Sequence, residues 1–201
     1  MSVLVGRQAP DFTASAVLGN GEIVDNFNLS ENIKGKYAVL FFYPLDFTFV
    51  CPSELIAFDH RLEEFSSRGV EVIGVSIDSQ FSHNAWRNTA INDGGIGQVG
   101  YPLVADIKHE ICQAYDVEHP EAGVAFRGSF LIDQNANVRH QVVNDLPLGR
   151  NIDEMLRMID ALQFHEEHGE VCPAGWTKGD SGMNASTEGV AEYLAENADN
   201  L

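Results

Sequence analysis

Tyr37-Ala-Val-Leu-Phe-Phe-Tyr43, followed after a loop by Cys51-Pro52-Ser53-Glu54, is the stretch that decides the fold. The first run is continuously apolar, rich in aromatics and too short for a lone helix, which predicts a central strand buried on both faces. From Pro52 onward Leu55, Phe58, Leu62 and Phe65 recur at helical spacing until Gly69 ends the run. Val70 to Ile77 is a second β-rich segment, and Ser79 to Ile91 reads as another helix. This βαβα order calls for a mainly parallel, right-handed sheet with helices on both faces, an α/β fold.

Working outward, Val124 to Ile132 and Val138 to Val143 flank the polar turn Asp133-Gln-Asn-Ala-Asn137, so these two strands form an antiparallel hairpin and the sheet is mixed. Asn151, with Glu154 three residues on, resembles a capping box. Ile152, Met155, Leu156, Ile159 and Leu162 supply the apolar stripe of the helix it opens, which should end near Gly169. Cys172 to Asn184 is rich in Gly, Pro and Ser, and Thr187 to Asn197 has the pattern of a short amphipathic helix. The 201 residues therefore divide into one domain, 1–168, and an arm, 169–201. No internal repeat or low-complexity tract is present.

With 44% hydrophobic and 21% charged residues the chain has the composition of a globular protein. Its 12 basic against 30 acidic residues give a net charge of −18, which repels nucleic-acid phosphates and anionic lipids alike. Half of that charge lies in residues 151–201, where 11 acids face only Arg157 and Lys178; a solvated acidic surface is the simpler reading. No stretch approaches the length of a membrane span, and the Met-Ser-Val-Leu-Val-Gly-Arg start lacks a secretion signal, so a cytoplasmic location is expected. The triplets beginning at Asn28 and Asn184 are then chance matches to glycosylation sites. Three cysteines in a reducing compartment make no disulfide scaffold, so Cys51, Cys112 and Cys172 are reactive, metal-bound or merely buried.

Cys51 falls where a loop leaving the buried strand becomes a helix, because Pro52 suits the first helical turn. The positive end of that helix favours a negatively charged sulfur, the form that attacks electrophiles. Position alone is equally compatible with a buried core cysteine. A disulfide exchanger of the Cys-x-x-Cys type is disfavoured, since the second cysteine would stand where Glu54 does.

Four segments, FFYPLDFTFVCPSE ending at Glu54, GVAFRGSFLID (Gly123 to Asp133), NDLPLGR (Asn144 to Arg150) and HGEVCPAGW (His168 to Trp176), together resemble the typical two-cysteine peroxiredoxins. The similarity runs from about Pro10 through the C-terminal arm. NDLPLGR, the glycine loop and the tail match the thioredoxin-dependent branch better than the bacterial branch served by a dedicated flavoprotein reductase. The resemblance implies a thioredoxin-like fold and a thiol peroxidase without metal or cofactor, acting on hydrogen peroxide and organic hydroperoxides. It makes Cys51 the peroxidatic cysteine, with Pro44, Thr48 and Arg127 lining its pocket and Tyr43, Glu54 and Arg150 supporting it. It makes Cys172 the resolving cysteine, whose disulfide with Cys51 a dithiol such as thioredoxin reopens. Their separation along the chain does not tell whether the two belong to one chain or two; the resemblance implies two chains of an antiparallel homodimer, assembled into a ring of five dimers.

The guanidinium of Arg127 suits this chemistry because it cannot lose its charge and offers a planar fork of donors. Without the family, it reads equally as half of a structural ion pair with Glu54, and Tyr43 as a strand-end core residue. Gly95-Ile-Gly-Gln-Val-Gly100 spells a dinucleotide motif but follows a helix and precedes Tyr101-Pro102, the wrong context. The resemblance instead sets Gly94-Gly95-Ile96-Gly97 at the Gly-Gly-Leu-Gly loop of overoxidation-sensitive relatives, and Tyr193-Leu194 where their tail carries Tyr-Phe. His165, His168 and Cys172 offer three zinc ligands where a structural site wants four, so no metal is expected there. Cys112 reads as core, on an apolar helical face with Ile111 and Tyr115. The competing function is a chaperone holdase or a relay that passes peroxide oxidation to partner proteins.

Overall fold

The computed structural model describes residues 3–200. The chain divides into two compact units, Met1–Ile152 and Asp153–Leu201. The first contains β1 (Thr13–Val17), β2 (Ile23–Asn28), α1 (Leu29–Asn32), β3 (Tyr37–Phe42), α2 (Cys51–Asp59), α3 (Leu62–Ser67), β4 (Val70–Ser76), α4 (Gln80–Asn88), β5 (Leu103–Ala105), α5 (Glu110–Ala114), β6 (Arg127–Ile132) and β7 (Val138–Asn144). Its seven-stranded sheet has the order β2-β1-β5-β4-β3-β6-β7. β3 and β5 run parallel to β4, whereas β6 joins β3 antiparallel and carries β7 as the hairpin partner. The sheet is thus mixed, as the sequence predicts.

All of β3 is buried, and its alternation feeds two layers of core. Phe41 stacks on Phe58 of α2 with ring centroids 4.2 Å apart. Phe42 points to the opposite face, where its ring lies 5.2 Å from Tyr115 and 5.8 Å from Phe130. Cys112 belongs to this second layer and is 1% exposed. The loop between β3 and α2 is therefore anchored at both ends by aromatic packing.

The structure departs from the sequence reading at several boundaries. The helical pattern after Pro52 breaks at His60 and Arg61 into α2 and α3. The expected helix from Ser79 stops at Asn88, where Thr89 turns extended, and Ile91–Asp93 forms a separate 3-10 turn. Val124 to Phe126 do not enter the β6 ladder, because Phe126 N–H donates to Val117 O instead. β1, β2, α1 and β5 have no counterpart in the sequence reading, and β5 spans only three residues, too short to establish a period; α5 supplies the helical face expected around Cys112.

The second unit contains α6, whose described range Ile152–His168 begins on the last residue of the first unit, and α7 (Thr187–Asn197). Ile152, Met155, Leu156, Ile159 and Leu162, the predicted stripe, are all buried along α6, and Ala161 is buried beside them. Trp176 packs its ring 4.8 Å from Phe164 and donates its indole N–H to Asp180 O. A Cβ on Gly182 would lie 2.6 Å from the Phe164 ring, so only glycine fits that approach. Ser186 caps α7 by accepting from Gly189 N–H. Among the described residues no helix is long and apolar enough to cross a membrane.

Candidate active site

Cys51 is the first residue of α2, is fully buried, and is preceded by a Val50 that provides no side-chain cap. The Ser53 and Glu54 N–H groups turn back to Val50 O, which closes the first turn beneath the sulfur. Pro52 occupies the second helical position, and Glu54 projects from the fourth. This short segment places a thiol and a carboxylate on one helical end, and the rest of the site comes from the start of β6, the segment before α6 and the loop after β3.

Arg127, the first residue of β6, is 4% exposed and is fixed through three contacts. Its Nη1 donates to Cys51 Sγ at 3.4 Å and to Glu54 Oε2 at 2.7 Å, while Nε donates to Leu146 O at 2.7 Å. Arg150 meets the same carboxylate from the other side, with Nε on Oε1 and Nη2 on Oε2, both at 2.9 Å. Its backbone N–H adds a further bond to Oε1, also at 2.9 Å. Arg150 Nη1 reaches Phe42 O and Gly128 O, and its guanidinium lies 5.1 Å from the Phe41 ring centroid. Burial pushes the Glu54 carboxyl up, but the charge and hydrogen bonds of Arg150 and then the charge of Arg127 outweigh it and hold the group below its ordinary range. Both readings of Arg127, ion pair with Glu54 and donor to the sulfur, hold at once.

Pro44 is buried at the end of β3. Thr48 Oγ1 donates to Leu45 O at 2.8 Å, which leaves the hydroxyl oxygen as an acceptor. Tyr43 departs from the expected supporting position: its hydroxyl donates to Asp46 Oδ1 at 2.9 Å and lies 3.3 Å from His83 Nδ1. Its ring shares the face of Phe41, 6.1 Å away, and sits 6.1 Å from Trp86 of α4, where His83 and Asp46 receive the hydroxyl. Burial and then the negative charge of Asp46 push the Tyr43 phenol well up, so it stays a neutral donor. Asp46 also binds His83 and Ser82, and its backbone N–H donates to Asp78. The sequence reading missed this network because its members are scattered over three segments.

Trp86 Nε1 donates to Gly94 O, and Ile96 N–H donates to Trp86 O, tying the Gly94–Gly97 loop to the end of α4. Gly94 and Gly97 have φ of +85° and +71°, and a Cβ on Gly95 would collide with the Thr89 carbonyl. The loop ends near β5 and opens no helix, so its glycines serve backbone geometry.

In the second unit Cys172 is partly buried, and its thiol donates to Ala161 O at 3.4 Å. Burial pushes this thiol up, and the charge of Arg157 partly opposes the shift. Arg157 is held by Glu154 at 2.7 Å and by Trp176 O at 2.7 Å; it is a charged neighbour of Cys172 that the sequence reading passed over. His165 Nδ1 meets Glu170 O, and the His168 ring lies tilted against Phe164 with centroids 4.6 Å apart. Tyr193 and Leu194 lie on α7, where Leu194 is 43% exposed. Cys112 is in the core as expected, with burial and then the charge of Asp106 pushing its thiol far up.

Buried charge, a helix terminus and a sulfur within reach of an arginine suit nucleophilic attack by the sulfur. Comparison with known proteins bears on which reaction. The AhpC/TSA family matches residues 5–141, and the C-terminal domain of 1-Cys peroxiredoxin matches residues 161–196. Alkyl hydroperoxide reductase C of Helicobacter pylori is 62% identical over 196 residues, covering 98% of each chain. Peroxiredoxin-2 of Mus musculus is 48% identical over 192 residues, covering 96% of each. The reduced 2-Cys peroxiredoxin of Plasmodium vivax superposes with a TM-score of 0.92 at 48% identity, over 96% of this chain and 99% of that one.

Proposed function

The chain belongs to the AhpC/TSA family of peroxiredoxins and is a thiol peroxidase of thioredoxin-like fold, and we propose that within it Cys51 attacks the peroxide and Cys172 resolves the product. The observation that carries this reading is the Arg127 donor 3.4 Å from a sulfur at the start of α2. Cys51 thiolate attacks one peroxide oxygen, the O–O bond breaks, and the other oxygen leaves as hydroxide or alkoxide and takes up a proton. The sulfur is oxidised to sulfenic acid and the peroxide is reduced to water or alcohol.

Positive charge at the sulfur stabilises the nucleophile, and donors at the leaving oxygen stabilise the charge that develops there. Arg127 Nη1 is assigned to the first task and Nη2 to the second. Thr48, whose hydroxyl donates to Leu45 O, accepts the peroxide O–H, and Pro44 walls the pocket. Glu54 keeps both arginines oriented. The Cys172 thiol then condenses with the sulfenic acid, releasing water and forming a disulfide, between two chains of a homodimer in this proposal. A dithiol of the thioredoxin class reopens it by exchange, in the reducing cytoplasm. Assembly into a ring of five dimers belongs to the same proposal. A holdase or relay as the main role is not favoured, since the relatives carry the names of a hydroperoxide reductase and peroxiredoxins.

The test is single-turnover oxidation followed by mass analysis. Cys51→Ser abolishes peroxide consumption, whereas Cys172→Ser consumes about one equivalent per chain and stalls as a sulfenic acid. Normal turnover by Cys51→Ser would overturn the assignment.

A further inference from the structure

Beyond the peroxidase site, the described residues bring three metal-ligating side chains of different chemistry together where α5 meets the loop leading to β6. His109, Cys112 and Glu118 each present one ligand atom, and these atoms all lie within 4.8 Å of one another. His109 Nδ1 is already 2.6 Å from Glu118 Oε1. In a tetrahedral zinc site, metal bonds of about 2.0 Å to nitrogen or oxygen and about 2.3 Å to sulfur place the ligands roughly 3.3–3.6 Å apart. The histidine and carboxylate therefore need to part by only about 0.7 Å, and the sulfur to close by at most about 1.2 Å, to accept the ion.

We propose that His109 Nδ1, Cys112 Sγ and a Glu118 carboxylate oxygen form a binding site for a borderline-soft divalent cation of the zinc class. The donor set argues for that class: a thiolate disfavours magnesium or calcium, and imidazole with carboxylate completes a mixed set that zinc accepts. Each of two ligands has its own anchor. Gln113 Nε2 holds Glu118 Oε2 at 2.9 Å, leaving Oε1 to turn to the metal. The Asp106 carboxylate accepts the backbone N–H groups of Ile111 and Cys112 at 3.0 and 2.7 Å, which fixes the cysteine's backbone. Such outer contacts orient ligands in metal sites generally. His109 and Glu118 have side chains 27% and 28% exposed, so a fourth position opens to water.

Binding is an exchange without redox change. The Cys112 S–H bond breaks and its proton passes to solvent; the proton held between His109 Nδ1 and Glu118 Oε1 leaves that hydrogen bond, the imidazole taking the tautomer protonated at Nε2. Metal bonds to sulfur, nitrogen and oxygen then form, and the two anionic ligands neutralise the dication. The ion ties the start of α5 to the segment that leads into β6, the strand that begins with Arg127. It is independent of Cys51 and Cys172.

The experiment titrates reduced, full-length protein with cobalt(II), whose thiolate charge-transfer absorption reports sulfur ligation, followed by displacement with zinc(II) against a chromophoric chelator. One cobalt per chain with a thiolate band is expected in the parent and in a Cys51→Ser/Cys172→Ser double variant. Cys112→Ala loses the band. His109→Gln and Glu118→Gln, at partly exposed positions that leave the core intact, weaken affinity on the order of tenfold or more. Absence of the band in the parent overturns the proposal, as does a band that survives Cys112→Ala or disappears in the double variant.

Discussion

Glu54→Gln removes one charge from the centre of the site while keeping its shape, and the structure lets the cost be worked through. Four N–H donors converge on the carboxylate, from Arg127 Nη1 at 2.7 Å and from Arg150 Nε, Nη2 and N at 2.9 Å. The glutamine oxygen can serve the pair on one side. On the other side its NH2 faces N–H donors, so two charge-assisted bonds are lost at about 1.5–3 kcal/mol each. The sum, about 3–6 kcal/mol, matches the roughly 3–5 kcal/mol for breaking a buried ion pair from one side. At fixed protein concentration this lowers Tm by roughly 6–24 °C. The pH dependence has a definite sign, because the folded-state pKa of Glu54 lies below its ordinary value of 4.5. Its stabilisation is complete above that value and is lost as pH falls through the lower, folded-state value. Urea melts from pH 7 downward should show a constant gap between parent and variant at neutral pH that narrows below about 4.5. A gap under about 1 kcal/mol at pH 7, or one that stays constant wherever the parent still folds in acid, would refute the account of Glu54 as the charged hub.

Arg127→Lys keeps a cation but loses the planar fork, and should slow sulfur oxidation by roughly 30- to 1,000-fold in stopped-flow measurements, about 2–4 kcal/mol of transition-state stabilisation; parental rates would remove Arg127 from the chemistry. Because burial already pushes the Cys172 thiol up and Arg157 opposes this, Arg157→Gln should shift the pH profile of disulfide formation upward and slow that step at pH 7, with the oxidation step unchanged. Cys112→Ser should leave peroxide turnover at the parental level; loss of the peroxide-induced disulfide would show that it, and not Cys172, is the resolving cysteine. Leu194→Phe should raise the sulfinic fraction of Cys51 per turnover and truncation after Thr187 should lower it, measured by mass spectrometry against peroxide dose; identical dose curves would mean the tail does not gate the cysteine.

What the sequence determined by itself is whatever repeats or punctuates locally. The all-apolar run from Tyr37 specifies a strand buried on both faces, the spacing of Leu55, Phe58, Leu62 and Phe65 specifies helix, and Asp133 to Asn137 specifies a hairpin. Cys51 before Pro52 likewise announces a sulfur at a helix start. The short element β5 carried no such signal, and its three residues join the sheet only because β1 and β4 offer it partners on both sides. Only the tertiary structure decided which charges meet. Glu54, Arg127 and Arg150 lie far apart in the chain, yet one carboxylate holds both guanidiniums. The same holds for Tyr43, whose hydroxyl meets Asp46 and His83, and for Cys112, which came to lie beside His109 and Glu118. Local pattern encodes burial and period because those depend on neighbours along the chain; pairing of buried charges depends on strand order and facing, which emerge only when the sheet closes.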